Sequence, residues 1–301
     1  MSDANSTVRE VVVEADNAGR RIDNFLSREL GKVPRSLLYR LIRTGQVRIN
    51  GGRVKPMRKL KFGDRVRIPP VRDSGTQPVA IPVARVEEIE GRVVHRQDEL
   101  IVVDKPAGLA SQAGTGLAWG LNDILIRIDS RAVPVHRLDR ETSGLMLFAR
   151  GAASARELQQ RFRSGEVEKR YLALLDGHLD QPRVDVDAPL KKIRDGSGQH
   201  RVIPAEDGQP ARSRFKVLER LPRHDFVEVS IETGRTHQIR VHAQYLGVPI
   251  VGDDRYNPGS SPAGLNRLFL HATTLRLPWP EDRVFSAPLP AELSQMLECL
   301  R

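Results

Sequence analysis

The sequence has a single cysteine in 301 residues, Cys299, so it can form neither an internal disulfide nor a Cys-x-x-Cys metal site. Its eight histidines include no His-x-x-x-His pair, and His237 and His242, five apart, do not share a helix face. Zinc and di-iron chemistry is therefore not expected. No apolar run approaches membrane-spanning length. The opening MSDANSTVREVVVEADNAG has neither the basic start nor the apolar core of a signal peptide. Aromatic residues are only 5% of the chain, thin for a polysaccharide-stacking surface. The glycines of QAGTGLAWG follow G-x-G-x-x-x-G with no P-loop lysine after them, which favours an ordinary loop over a phosphate cradle. These absences leave a protein of reduced, cytoplasmic surroundings with no metal and no membrane segment.

Positive charge is abundant, and it is segregated. The net charge of +10 comes from residues 20–72, where 16 Lys/Arg face 3 Asp/Glu. The first 19 residues are net −3, and residues 73–301 balance to zero. Charge confined to one module is the footprint of polyanion binding, since solubility alone would not require segregation. In RRIDNFLSREL, Ile22, Phe25, Leu26 and Leu30 recur at helical spacing. VPRSLLYRLIRTG predicts a second helix, started near Pro34 and stopped near Gly45. Its Leu37, Leu38, Leu41 and Ile42 face one way, and Arg35, Tyr39, Arg40 and Arg43 the other. Three cations and a ring suit phosphates with a base or sugar beside them. QVRINGGRVK predicts a hairpin turning at Asn-Gly, and FGDRVRIP a further strand.

The expected organisation is a tail over 1–19, a basic module over 20–72, a proline-rich linker over 73–86 and a larger domain over 87–301. In the last, RVVHRQDELIVVDKPAG predicts two strands, SGLMLFAR and EKRYLALLDGHL buried strands, and ASARELQQRFRSG an amphipathic helix ending at Gly165. FVEVSIE alternates as a half-buried strand, and THQIRVHAQYLG predicts a helix capped by Thr236 and stopped by Gly247. Runs of strands with few helices imply an α+β class with a mixed, mainly antiparallel sheet.

The densest chemistry lies in VHRLDRETSG, residues 135–144. Asp139 stands between Arg137 and Arg140, and cations favour an ionised carboxylate able to act as nucleophile or base. Taken in isolation, such a pattern is more often plain charge compensation at a strand entry. Asp139 and Glu141 also leave a two-carboxylate hydrolytic site open, because residues two apart in an extended segment point the same way.

HRLDRETSG, followed by KRYLALLDG and TGRTHQIRVH, resembles the large-subunit pseudouridine synthase A family. VVDKPAG, GDDRYN and LFLHATTLRL also resemble it, so the likeness covers essentially all of 87–301. RIDNFL, the basic helix, GQVRINGGRV and GDRVRI resemble the S4 RNA-binding domain over about 50 residues. RIDNFL, VHRLDRETSG and GLNRLFLHA point to the C-type branch; the D-type branch, or an S4-bearing assembly factor without activity, are the alternatives. The resemblance implies an isomerase converting uridine to pseudouridine in 23S, large-subunit, ribosomal RNA, monomeric and without cofactor. It implies Asp139 as catalyst, by attack at C1′ or by proton abstraction from C2′. Tyr171 would lie against the target base, with its hydroxyl a candidate for removing the C5 proton. Arg235 would pair with Asp139, and Ile239 would pack the pocket floor. Arg137 would fill the stack vacated by the flipped nucleotide, its other reading being an ion pair with Asp139 or Glu141. On the S4 face the RNA contacts would be Arg35, Tyr39, Arg40 and Arg43. Lys105 and Lys169 are candidate phosphate contacts, with solvated or structural roles equally open.

Overall fold

The computed structural model of the chain describes residues 7–30, 33, 35–71, 80–114, 117–194, 200–259, 262 and 264–301, and of residues 35 and 36 the backbone only. The chain divides into two units, residues 1–80 and 81–301. The first holds β1 (Arg9–Val12), α1 (Ile22–Leu30), α2 (Arg35–Arg43), β2 (Arg48–Ile49), β3 (Gly52–Arg53) and β4 (Arg65–Ile68). Phe25, Leu26, Leu38 and Ile42 from the two helices pack with Val47, Val66 and Ile68 in one core. Asn50 and Gly51 both take positive φ (51° and 77°), which is what a two-residue turn between right-twisted strands requires. β1 pairs antiparallel with β4, Arg9 opposite Ile68, and Val13 is fully buried. Residues 9–19 therefore belong to this unit rather than to the expected tail. A four-residue strand with only alternate side chains half-buried carries too weak a pattern to stand out in the sequence. Half of the expected linker, residues 73–79, lies outside the described residues, and its last four, 83–86, begin a helix of the second unit instead.

The second unit contains α3 (Val83–Glu90), β5 (Val93–Gln97), β6 (Leu100–Lys105), α4 (Leu121–Ile128), β7 (Ala132–Pro134), β8 (Ser143–Arg150), α5 (Ala152–Ser164) and β9 (Glu168–Asp176). There follow β10 (Arg183–Asp187), β11 (Leu190–Arg194), β12 (His200–Pro204), β13 (Arg212–Arg220), β14 (His224–Ile231), α6 (Gln238–Tyr245), β15 (Leu270–Pro278), β16 (Asp282–Ser286) and α7 (Ala291–Cys299). One sheet runs β10-β13-β14-β9-β15-β8-β6-β5, with β16 beside β15 and β7 beside β8; β11 and β12 form a separate ribbon. The class is α+β, as expected.

Period-two alternation sends successive side chains of β6 and β8 to opposite faces. Ile101, Val103, Met146 and Phe148 meet α4 through Leu121, Ile124 and Leu125. Leu100, Val102, Leu145 and Leu147 meet α5 through Ala155 and Leu158. Helix cover on both faces explains why SGLMLFAR reads as an unbroken apolar run. Gly165 ends α5 in the left-handed conformation, as its sequence predicts.

Among the described residues all pairs of named strands but one are antiparallel. The exception is a two-residue parallel contact of β8 with β15, His271 opposite Ser143 and Ala272 opposite Gly144. Gly144 has φ +110°, and a Cβ there would lie 2.2 Å from the Ala272 carbonyl oxygen. Only glycine permits that approach, so the last residue of VHRLDRETSG anchors the preceding loop to the sheet.

Candidate active site

Asp139 sits in the loop between β7 and β8, and the loop is tied down on both sides. The buried Ser111 hydroxyl donates to the Leu138 carbonyl (2.6 Å) and accepts from the Leu138 N–H (3.1 Å). Gly108 and Arg140 exchange two further bonds, Gly108 N–H to Arg140 O (2.8 Å) and Arg140 Nε to Gly108 O (3.0 Å). Lys105, fully buried, donates to the carbonyls of Pro106, Leu109 and Arg140 at 2.9, 2.8 and 3.2 Å. Burial lowers its pKa to about 7 against the opposing pull of Asp139 and Glu141. Of the readings open for Lys105 the structural one holds: its three donors are spent on backbone carbonyls, two in the segment after β6 and one, Arg140, in the Asp139 loop. Lys169 is also buried, its Nζ 3.4 Å from the Glu232 carbonyl, and burial lowers its pKa.

Two histidines brace the same loop as neutral groups. His136 Nε2 accepts the Leu147 N–H at 2.9 Å and its ring stacks on Phe162. His271 Nδ1 lies 2.9 Å from the Ser143 hydroxyl and its Nε2 3.3 Å from the Ala287 carbonyl. Burial lowers their pKa values to about 3 and about 4. Below the unperturbed value near 6.5 the unfolded chain takes up these protons while the folded chain does not. Stability is therefore full above that value and lost on acidification toward the folded values. Between pH 7 and pH 5 each histidine should remove about 2 kcal/mol. Urea unfolding at the two pH values measures the loss, and a His136→Gln variant should lose about 2 kcal/mol less over the interval. An equal loss in that variant would mean His136 is not held neutral.

Asp139 marks the junction of two spaces. An open groove of about 760 Å3 is lined by Arg137, Arg140, Glu141, Arg201, Arg255 and Arg267 among others. A cleft of about 90 Å3 at its floor is lined by Tyr171, Ile231, Ile239 and Leu270. Asp139, Arg137, His237 and Arg240 border both. Tyr171 comes from β9 and is 8% exposed; Ile239 comes from α6 and is 5% exposed. Burial, then the charge of Asp139, raises the Tyr171 pKa, so its ring is a neutral packing surface. A role for its hydroxyl as the C5 base would need an ionisation that these surroundings oppose.

The arginine facing Asp139 is Arg240, not Arg235. Arg240 Nη1 is 3.7 Å from Asp139 Oδ2 and 3.6 Å from Glu141 Oε2. Its other nitrogens grip Asp253 bidentately, both at 2.7 Å. Burial opposes the Arg240 charge, and the Asp253 bonds outweigh it, so its pKa is raised. Arg235 lines the cleft but is exposed, and its Nε donates to the Pro210 carbonyl at 3.0 Å. The reason is local. The expected Thr236 cap is replaced by His237 in the left-handed conformation (φ 54°, ψ 22°), after which α6 begins at Gln238. That turn leaves Arg235 outside the helix and brings Arg240, in its first turn, to the carboxylate. Arg137 is exposed and has no ion pair among the described residues, so its guanidinium is open to the groove.

In the first unit the Tyr39 hydroxyl donates to Asp23 Oδ2 at 2.9 Å, and Arg21 grips the same carboxylate at 3.1 and 2.5 Å. Tyr39 is thereby held half-exposed beside Arg40 and Arg43, which are exposed and unpaired among the described residues. The Arg35 side chain lies outside the described residues.

The sequence pattern of RNA pseudouridylate synthases matches residues 99–245, and that of the S4 domain residues 20–66. The chain is 41% identical to ribosomal large subunit pseudouridine synthase C of Pasteurella multocida, with 99% of this chain and 95% of the relative covered. It is 41% identical to the Escherichia coli protein of the same name, covering 98% and 97%. The solved structure of human RNA pseudouridylate synthase domain containing 4 superposes with a TM-score of 0.60 at 26% identity, over 72% of this chain and 96% of that one. No helix among the described residues is long and apolar enough to cross a membrane. A carboxylate held by an arginine at the mouth of an apolar cleft, in a chain so closely related over its whole length, makes this protein a member of the RNA pseudouridylate synthase family carrying an S4 domain.

Proposed function

We propose that this enzyme isomerises uridines of large-subunit ribosomal RNA, with C-type specificity, and that Asp139 is its catalyst. The observation carrying this reading is the placement of the Asp139 carboxylate between a cationic groove and a cleft walled by Tyr171 and Ile239. The groove suits the RNA backbone; the cleft suits the edge of an extruded base. A stacked uridine cannot reach that carboxylate, so the nucleotide must flip out, and Arg137 is placed to stack where it left. The N1–C1′ bond breaks, the base turns, a C5–C1′ bond forms, and the C5 proton departs as N1 gains one. Atoms and electrons balance without an oxidant, reductant or group donor, so no cofactor is needed. Tyr171 and Ile239 hold the ring while it is detached, and Arg240 supplies the cation facing Asp139. Every one of these side chains comes from one chain, in keeping with a monomer acting in the cytoplasm, where its substrate is made.

Release of tritium from C5-labelled large-subunit RNA, matched to pseudouridine mapped in the product, tests this reading. Labelled RNA that returns no tritium with the intact protein would overturn it.

The S4 unit supplies the non-specific part of binding, through Arg40 and Arg43 with Tyr39 and Arg35. Replacing Arg40 and Arg43 by glutamine should weaken RNA binding at low salt. The slope of log K against log salt should flatten by about 0.7 to 0.9 per lost phosphate contact. The single-turnover rate at saturating RNA should stay within about twofold, a factor worth only ~0.4 kcal/mol. An unchanged slope would make this face ordinary surface.

A further inference from the structure

His237 enters α6 in an uncommon backbone conformation. Among the described residues three non-glycine side chains have positive φ: Asn50, Asp98 and His237. Asn50 and Asp98 sit in the turns of hairpins, and Asn and Asp tolerate that conformation. His237 is the one of the three outside a hairpin turn, at a helix start that it does not cap with its side chain. The conformation places the imidazole between two groups. Nδ1 is 2.9 Å from the Tyr256 hydroxyl, and Nε2 is 3.9 Å from Asp139 Oδ2.

The hydrogen-bond count points to one tautomer, since the alternative would leave the buried Tyr256 proton without an acceptor among the described residues. Tyr256 is 2% exposed, and its oxygen already accepts the Val202 N–H at 3.3 Å. Its own single proton has one acceptor among the described residues, His237 Nδ1. The Tyr256 ring is locked in place, edge-on to the imidazole and with the guanidinium carbons of Arg240 and Arg201 at 5.3 and 5.5 Å. An imidazole that accepts at Nδ1 and stays neutral carries its hydrogen on Nε2, the nitrogen facing the carboxylate. Burial also lowers the His237 pKa in spite of Asp139, in agreement with a neutral ring.

We propose that His237 is a positioning residue for Asp139: a neutral N–H donor, set in one tautomer by Tyr256, that closes on the carboxylate when RNA enters the groove. The present 3.9 Å gap is about 1 Å longer than a hydrogen bond, and catalytic contacts commonly tighten only in the complex. Arg240 then neutralises one side of Asp139 while His237 fixes the aim of Oδ2 without adding a second charge. Tyr256 also ties this donor to the β11–β12 ribbon through Val202, so the ribbon that lines the groove with His200 and Arg201 sits on the element that aims the catalyst.

The proposal rests on the isomerase reading, and the experiment separates the two. Single-turnover tritium release is measured for the intact protein, His237→Phe, His237→Gln and Tyr256→Phe, with the RNA dissociation constant measured alongside. Loss of the donor in His237→Phe should slow release on the order of 10- to 100-fold, the scale of a 1 Å misplacement, with RNA affinity within about twofold. His237→Gln, which returns an N–H at a similar reach, should recover part of the rate. Nitrogen-15 spectra of histidine-labelled protein should show His237 protonated at Nε2, and Tyr256→Phe should lose that single tautomer. Release at the wild-type rate by His237→Phe, or a hydrogen found on Nδ1 in the intact protein, overturns the proposal. Absence of release by the intact protein strikes the isomerase reading instead, and the tautomer measurement still decides whether His237 presents a donor. If His237→Phe does not fold, Tyr256→Phe carries the rate comparison, and a wild-type rate there overturns the coupling.

Discussion

Asp139→Asn should silence tritium release, lowering the single-turnover rate by roughly 10^4-fold or more, the scale of losing a nucleophile or general base. The substitution is close to isosteric, and among the described residues no hydrogen bond that holds the loop uses the Asp139 carboxylate. The turn bond from Thr142 N–H to Asp139 O and the Ser111, Gly108 and Lys105 ties use backbone atoms of the loop and the Arg140 side chain, never the Asp139 carboxylate. Arg240 keeps its bidentate partner Asp253, so no buried cation is orphaned. RNA affinity and unfolding midpoint should therefore stay near those of the intact protein. The same comparison settles the two-carboxylate alternative left open by the sequence. Glu141 is half-exposed on the groove and does not border the cleft that holds Tyr171. Glu141→Gln should keep its rate within about tenfold, about 1.4 kcal/mol. Release by Asp139→Asn at a comparable rate would remove Asp139 from the chemistry.

Arg240→Met should cost stability as well as rate, and the two losses can be separated. Arg240 is 5% exposed and Asp253 0%. Removing the cation leaves a buried carboxylate whose remaining donors are the backbone N–H groups of Arg255 and Tyr256. Breaking such a pair costs about 3–5 kcal/mol, readable as a lower urea midpoint. Removing both charges in Arg240→Met/Asp253→Asn should recover much of that stability, because the uncompensated charge is gone. It should not recover tritium release, because Asp139 still lacks the cation at 3.7 Å. A double variant regaining both would assign Arg240 a packing role only.

The local elements were legible because each is set by its own residues. The Asn50-Gly51 turn, the Gly165 stop of α5 and the buried run of β8 follow from φ preferences and from faces covered by helices. β1 was not legible, because its pairing with β4 joins residues more than 50 apart and leaves little apolar signature. The sequence left the role of Lys105 open for a related reason. A lysine in a loop reads as a surface cation until the fold wraps three carbonyls around it.

The site divides in the same way. Asp139, Tyr171 and Ile239 could be named from motifs, and the fold brings all three to one cleft. Which arginine faces Asp139 could not be read, because Arg235 and Arg240 both stand in GRTHQIR. The choice turns on the left-handed backbone of His237, which is maintained by Tyr256, 19 residues on, and by the ribbon behind it. Sequence by itself determined the α+β class, the basic S4 module and the candidate carboxylate, since these rest on composition, periodicity and contiguous motif. Only the tertiary structure decided the carboxylate's partners, because a charged side chain's neighbour is set by the path of the backbone between them.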